Sequence, residues 1–165
     1  MLRRLTSGHV VWEATDDACG SLSPALIKKL TNWSQKRFYS KEAGGLILGF
    51  VDSDTNGLLA EEITVPGAGD RRYRTSFFRS ERHQQDAEVW NIKTKGKGTQ
   101  LGLWHTHPEG TPEPSRIDLD DCESVLRNGR FDCNGLLYII VGTRSIGYWY
   151  ACAGQPIFFL GHLEL

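Results

Sequence analysis

The chain has little net charge, no long apolar run and no paired cysteines. Its formal charge is −1 over 165 residues, so nothing global attracts nucleic acid or an anionic membrane. The longest apolar runs, near Leu46 and Leu137, fall far short of the roughly 20 residues that span a bilayer. Arg3 and Arg4 are not followed by an apolar segment, so no signal peptide is expected and the protein reads as cytoplasmic. Cys19, Cys122, Cys133 and Cys152 form no C-x-x-C pair, which predicts reduced thiols and no disulfide framework. There is no internal repeat and no low-complexity tract. H-E-x-x-H is absent, which excludes a zincin-type protease. H-x-E with a later P-C-x-x-C is also absent, which excludes the zinc deaminase signature. A chain of this length fits one domain, residues 1–165, with a core that needs no disulfides.

Periodicity predicts a mixture of strands and helices. His9–Ala14 reads as a first strand. Ser23-Pro24 starts a helix, with Ser as N-cap and Pro in the first turn, and the apolar spacing carries it to about Phe38. Gly44–Val51 is a strand, Asp54-Thr55-Asn56-Gly57 a turn, and Leu58–Val65 the returning strand of a hairpin. Pro66-Gly67-Ala68-Gly69 breaks the chain, and Arg74–Arg79 reads as another strand. Ser80 to about Lys93 is a helix and Thr99–His105 a strand. Asp118–Asn128 is a third helix. Leu136–Val141 and Ile146–Cys152 form a second hairpin, and Ile157–His162 is a final strand. Strict βαβ alternation is missing. The fold class is therefore α/β in the wide sense (α+β): a mixed central sheet flanked by helices.

The densest chemistry lies in Trp104–Asp118, WHTHPEGTPEPSRID. Side chains of a strand alternate, so His105 and His107 point to one side. The Pro- and Gly-rich loop after Pro108 is stiff and irregular. Two imidazoles and one carboxylate make a zinc site with an open fourth position, the mark of a catalytic metal. Asp118, Asp120 and Asp121 compete as third ligand. Ser115 is placed to donate to an oxyanion or to cap the third helix. A hydrolytic metal needs a base that is not itself a ligand. Glu42, just before Gly44-Gly45, is the candidate; those glycines let another backbone or a ligand come close. A thiol hydrolase built on Cys122 or Cys133 is the weaker option. His9, His83 and His162 read as structural or surface residues.

These residues resemble a known family. Glu42 with Gly44-Gly45-Leu46-Ile47-Leu48-Gly49, and His105-Thr106-His107-Pro108 with Ser115 and Asp118, match the two motifs of the JAB/MPN/JAMM metalloproteases. No catalytic position of that pattern is missing. The resemblance implies an MPN/JAMM-like fold, similar to the cytidine-deaminase-type architecture. It implies one Zn²⁺ held by His105, His107 and Asp118, with Glu42 as base and Ser115 at the oxyanion. It also implies hydrolysis of the bond after the C-terminal glycine of a ubiquitin-like protein, in a deubiquitinase-like reaction on conjugates or precursors. The short chain looks like the stand-alone bacterial members, some of which are linked to antiviral-defence conjugation systems with their own activating and conjugating enzymes.

The partner expected from this reading is a ubiquitin-like protein or its conjugate, with no nucleic acid and no membrane. Arg72, Arg74 and Trp104 are the candidate substrate contacts. The arginines Arg71, Arg72, Arg74, Arg79 and Arg82 read otherwise as a solvated edge that discourages strand pairing. Two alternatives keep the loop motif: processing of a sulfur-carrier C-terminus, and a RadC-like DNA-repair-associated protein.

Overall fold

The computed structural model describes residues 1–15, 18–129, 131 and 133–165. Among them the strands are β1 (Leu2–Arg4), β2 (Val10–Thr15), β3 (Ala18–Leu22), β4 (Gly44–Val51), β5 (Leu58–Ile63), β6 (Arg71–Arg72), β7 (Phe77–Phe78), β8 (Thr99–Thr106), β9 (Leu136–Val141), β10 (Ser145–Ala151) and β11 (Phe158–Glu164). The helices are α1 (Pro24–Asn32), α2 (Arg82–Lys93) and α3 (Arg116–Asn128). Nine strands form one mixed sheet in the order β1-β2-β3-β5-β4-β8-β9-β10-β11, and β6-β7 is a separate ribbon. The β3–β5 and β8–β9 pairs are parallel and the other pairs antiparallel. The expected mixed sheet with flanking helices is what forms.

The central strands are apolar on both faces because both faces are covered. On one face Leu26, Ile27 and Leu30 of α1 join Trp12, Trp104 and Ile139 in one core. Burying each such side chain is worth roughly 2 kcal/mol. On the other face Ala87 of α2 and Cys122 of α3 pack with Leu46, Leu103, Tyr138 and Ile140. Strand alternation then sorts the end of β8. Trp104 faces α1, while Leu103 and His105 face α2 and α3.

Several boundaries differ from those expected. α1 stops at Asn32, not near Phe38. Trp33 takes the C-cap, with its N–H donating to Leu30 and Thr31 carbonyls. Ser34 and Gln35 then turn to tertiary partners: Ser34 Oγ donates to the Gly142 carbonyl at 2.7 Å, and Gln35 Nε2 to that of Arg74 at 2.9 Å. Phe38 is left exposed. β5 ends at Ile63 because Thr64 is drawn into side-chain bonding, its Oγ1 accepting from Leu46 N at 2.8 Å. The segment Arg74–Arg79 is not one strand but the turn and second arm of the β6–β7 ribbon. β1 and β3 carry too short an apolar pattern to be seen in sequence; β2 pairs with both.

The two glycines at the head of β4 are needed for close approach. A Cβ on Gly45 would lie 2.3 Å from the Thr64 carbonyl oxygen, and one on Gly44 would lie 2.5 Å from the Phe77 ring. Among the described residues no helix is long and apolar enough to cross a membrane.

Candidate metal centre and catalytic groove

His105 and His107 leave the end of β8 on the same side, and α3 begins beneath them. His105 Nε2 lies 2.9 Å from His107 Nε2. Asp118 brings Oδ1 to 3.2 Å from His105 Nε2 and Oδ2 to 3.3 Å from His107 Nε2. Ligand atoms on a tetrahedral zinc, each about 2.1 Å from the ion, lie roughly 3.4 Å apart. The three groups therefore converge as ligands of one ion would. Of the three competing aspartates, Asp118 joins the histidines. Asp121 instead holds Arg79, with both carboxylate oxygens at 2.7 Å, and Asp120 is exposed on the helix.

The protonation states also suit a cation. Burial lowers the pKa of His105 and outweighs the opposing pull of Asp118, so this imidazole is neutral with a lone pair to give. Burial would raise Asp118, but hydrogen bonds from the two histidines hold it well below the usual carboxylate range. His107 is pulled down by burial yet raised overall, because Asp118, Glu42 and Glu109 surround it. A metal ion at this point would take the place of that proton.

The sheet register sets Glu42. β4 and β8 pair antiparallel with Gly44 opposite His105, and the pairing continues as Thr106 N donates to the Ala43 carbonyl at 2.9 Å. One step further puts Glu42 opposite His107. The backbone there is tied twice: Glu42 N donates to the Tyr73 carbonyl, and Arg72 Nε donates to that of Glu42, each at 2.7 Å. Glu42 is only 3 % exposed. Burial pushes its pKa up to about 8, against the lowering effect of His107 and with further raising by Asp118 and Glu109. A carboxyl with raised proton affinity beside the His105–His107–Asp118 cluster is suited to accept and return a proton.

Ser115 and Asp118 form a capping box at the start of α3. Ser115 Oγ accepts from Asp118 N at 3.2 Å, and Asp118 Oδ2 accepts from Ser115 N at 2.7 Å. The capping role and the position at the site are thus combined in Ser115. Its Oγ uses a lone pair for the cap and keeps its proton to donate.

A groove of about 900 Å³ runs from these residues between the β6–β7 ribbon and α3, lined by Phe77, Phe78, Arg79, Asp121 and Tyr138 among others. Glu42, His105, His107, Ser115 and Asp118 all line it. The structure does not bring the other three candidates to it in the same way. Trp104 is fully buried on the opposite face of the sheet, its Nε1 donating to the Thr64 carbonyl. Arg72 is committed to the carbonyls of Glu42 and Lys41, and Arg74 to that of Phe38.

Two neighbours of the site, Glu109 and Tyr138, were not singled out from sequence. Glu109 Oε2 lies 3.7 Å from His107 Nδ1; its place one residue after His107-Pro108 was the available signal. Tyr138 packs against His105 with tilted rings, centroids 5.6 Å apart. His83, read as structural or surface, is a buried structural residue. The Asp70 carboxylate can only accept, so His83 Nε2–H donates to it at 3.0 Å, and in the neutral ring Nδ1 accepts from the Thr64 hydroxyl at 2.6 Å, while Thr64 Oγ1 accepts from Leu46 N. This chain of bonds ties the end of β5 and Asp70 to α2.

Comparison with known proteins agrees with this geometry. Residues 24–152 match the family described as prokaryotic homologs of the JAB domain. A CD-NTase/cGAS isopeptidase of Pseudomonas aeruginosa (strain BWHPSA011 / Pa011) is 38% identical over 106 residues, 64% of this chain and 65% of that protein, just under two thirds of its length. One from Escherichia coli (strain TW11681) is 35% identical over 122 residues, 73% and 74% of the two chains. One from Vibrio cholerae is 30% identical over 143 residues, 86% of each. The solution structure of protein DSY2949 from Desulfitobacterium hafniense shares the fold, with a TM-score of 0.57 at 18% identity over 84% of this chain and 87% of that one. The chain belongs to the family of prokaryotic homologs of the JAB domain.

Proposed function

We propose that this protein is a zinc-dependent isopeptidase that hydrolyses the bond after the C-terminal glycine of a ubiquitin-like protein, or of a CD-NTase joined to a target in the same manner. The observation that carries the proposal is one juxtaposition. A buried carboxyl, Glu42, faces the His105–His107–Asp118 cluster at the head of a single groove. The names of the relatives direct the reading to a CD-NTase as the protein in the conjugate, within a bacterial antiviral-defence system.

His105, His107 and Asp118 would hold the zinc. When bound, zinc supplies Lewis-acid polarisation of the scissile carbonyl and lowers the pKa of water at neutral pH. Glu42 removes a proton from the attacking water as the new C–O bond forms at the glycine carbonyl. It returns that proton to the lysine amine as the C–N bond breaks. Ser115 donates its hydroxyl proton to the oxygen that carries charge between the two steps. Arg72 and the Tyr73 carbonyl keep the Glu42 backbone in place, which holds the base at a fixed distance throughout. Phe77 and Phe78 on one wall and α3 on the other leave room for a thin, extended tail.

The test is incubation of the purified protein with a CD-NTase linked through its C-terminal residue to a lysine ε-amine. Release of the intact CD-NTase, lost on chelation and restored by zinc, is the expected outcome. An uncut conjugate in the presence of stoichiometric zinc contradicts the proposal.

A further inference from the structure

Two segments beside Glu42 carry a concentration of positive charge that the net charge of the chain conceals. Residues 36–41 read KRFYSK and residues 71–76 read RRYRTS, with no Asp or Glu in either. They lie together: Glu42 N bonds the Tyr73 carbonyl, Gln35 Nε2 bonds the carbonyls of both Ser40 and Arg74, and Arg74 bonds that of Phe38. The outcome is a platform of Lys36, Arg37, Lys41, Arg71 and Arg74 around the exposed rings of Phe38, Tyr39 and Tyr73. Phe38 is 84% and Tyr39 72% exposed, and with Tyr73 they form one exposed aromatic patch rather than scattered single rings. Among the described residues, neither Lys36 nor Lys41 makes an ion pair.

We infer that this platform docks an acidic face of the folded protein whose tail enters the groove, a reading that rests on the proposed isopeptidase function. Continuity supports it. Arg71, at one end of the platform, also lines the groove, so a tail leaving the groove on that side leads onto the platform. The state of the aromatic rings then distinguishes the class of partner. Arg74 lies over Phe38 with its Cζ 4.5 Å from the ring centroid, Arg71 lies 4.8 Å over Phe78, and Arg37 lies 5.9 Å from Tyr39. Nucleic-acid platforms stack bases on bare rings. Here a guanidinium covers one side of Phe38 and of Phe78, and Arg37 donates to the Tyr39 hydroxyl at 2.8 Å. A stacked guanidinium still presents its N–H edge to solvent, where it meets carboxylates in the plane of the fork. Carboxylates around an apolar contact are therefore the complementary surface.

The test uses binding, so that it does not depend on turnover. The unconjugated CD-NTase from the same genome is titrated into wild type and into Lys36→Glu/Arg37→Glu, with Lys36→Ala/Arg37→Ala as the milder pair; thermal unfolding checks that each variant is folded. A labelled peptide of the CD-NTase tail alone is titrated in parallel. Charge reversal is expected to weaken binding of the whole protein by about tenfold, and added salt to weaken the wild type more than the variant. The tail peptide is expected to bind all three alike. Equal affinity of folded variants and wild type for the whole protein, or no binding by wild type, overturns the inference. So does tighter binding of a labelled single-stranded oligonucleotide through the same two residues. Hydrolysis of a conjugate is read separately, so a failed docking surface and a failed isopeptidase reading give different results.

Discussion

Glu42 and His107 sit opposite one another where the β4–β8 pairing runs past the last pair of its ladder, Gly44 with His105. A residue 65 positions earlier in the chain is thereby brought by strand register to the His105–His107–Asp118 cluster, and Tyr73 and Arg72 tie its backbone there. Glu42→Gln keeps the shape of the side chain and removes its basicity. It should retain about one zinc per chain by elemental analysis while kcat falls by roughly 10²–10⁴. A variant that hydrolyses substrate at the wild-type rate removes Glu42 from the mechanism.

Ser115 and Asp118 can be separated by what each loses. Ser115→Ala removes an N-cap, which should cost about 1 kcal/mol in chemical denaturation, and it should lower kcat with zinc still bound. Asp118→Ala removes a cap partner and a ligand together, so metal content should fall. Normal zinc content in Asp118→Ala contradicts the ligand assignment.

Gly45 has no space for a methyl group, since the clash is with the Thr64 backbone rather than with a movable side chain. Gly45→Ala should destabilise the fold by about 1–3 kcal/mol, read from urea unfolding. Gly96, where a Cβ meets nothing within 4 Å but φ is +79°, provides the comparison of strain without a clash.

The Asp70–His83 pair sets an acid limit on stability. Burial would raise Asp70, but hydrogen bonds from Ser80, Gly67 and His83 hold it well below its ordinary 3.8. Burial also lowers His83 below 6.5, despite the raising effect of Asp70. In both cases the unfolded chain binds the proton more readily than the folded one. The stabilisation is therefore present above the ordinary value and is lost as pH falls, first below 6.5 for His83 and then below 3.8 for Asp70. Thermal midpoints measured from pH 7.5 to 3.5 should decline, and Asp70→Asn should flatten the acid part of the profile. A wild-type midpoint that is constant over this range rules out the linkage.

The strand core and the convergence of His105 with His107 were legible in sequence for a physical reason. β4 and β9 are continuous apolar runs with both faces buried, and the alternation at the end of β8 puts His105 and His107 on one side without any knowledge of their neighbours. Choosing among Asp118, Asp120 and Asp121 required the helix phase fixed by the Ser115 cap. The end of α1 was not legible, because the apolar spacing continues through Trp33 and Phe38 while Ser34 and Gln35 leave for partners more than 35 residues away in the case of Arg74 and Gly142. The same holds for Trp104, whose side of the sheet follows from strand parity but whose burial depends on α1 and Trp33, ring centroids 6.3 Å apart. The Thr64–His83–Asp70 chain joins three segments that share no local pattern.

The most direct measurement is hydrolysis of the lysine-linked CD-NTase conjugate in ¹⁸O-labelled water, followed by mass spectrometry of both products. The expected result is an unmodified lysine amine and a CD-NTase whose C-terminal carboxylate carries one ¹⁸O, with neither product formed by Glu42→Gln. Release without label at that carboxylate, or cleavage at any other bond, contradicts a zinc-dependent isopeptidase acting through Glu42.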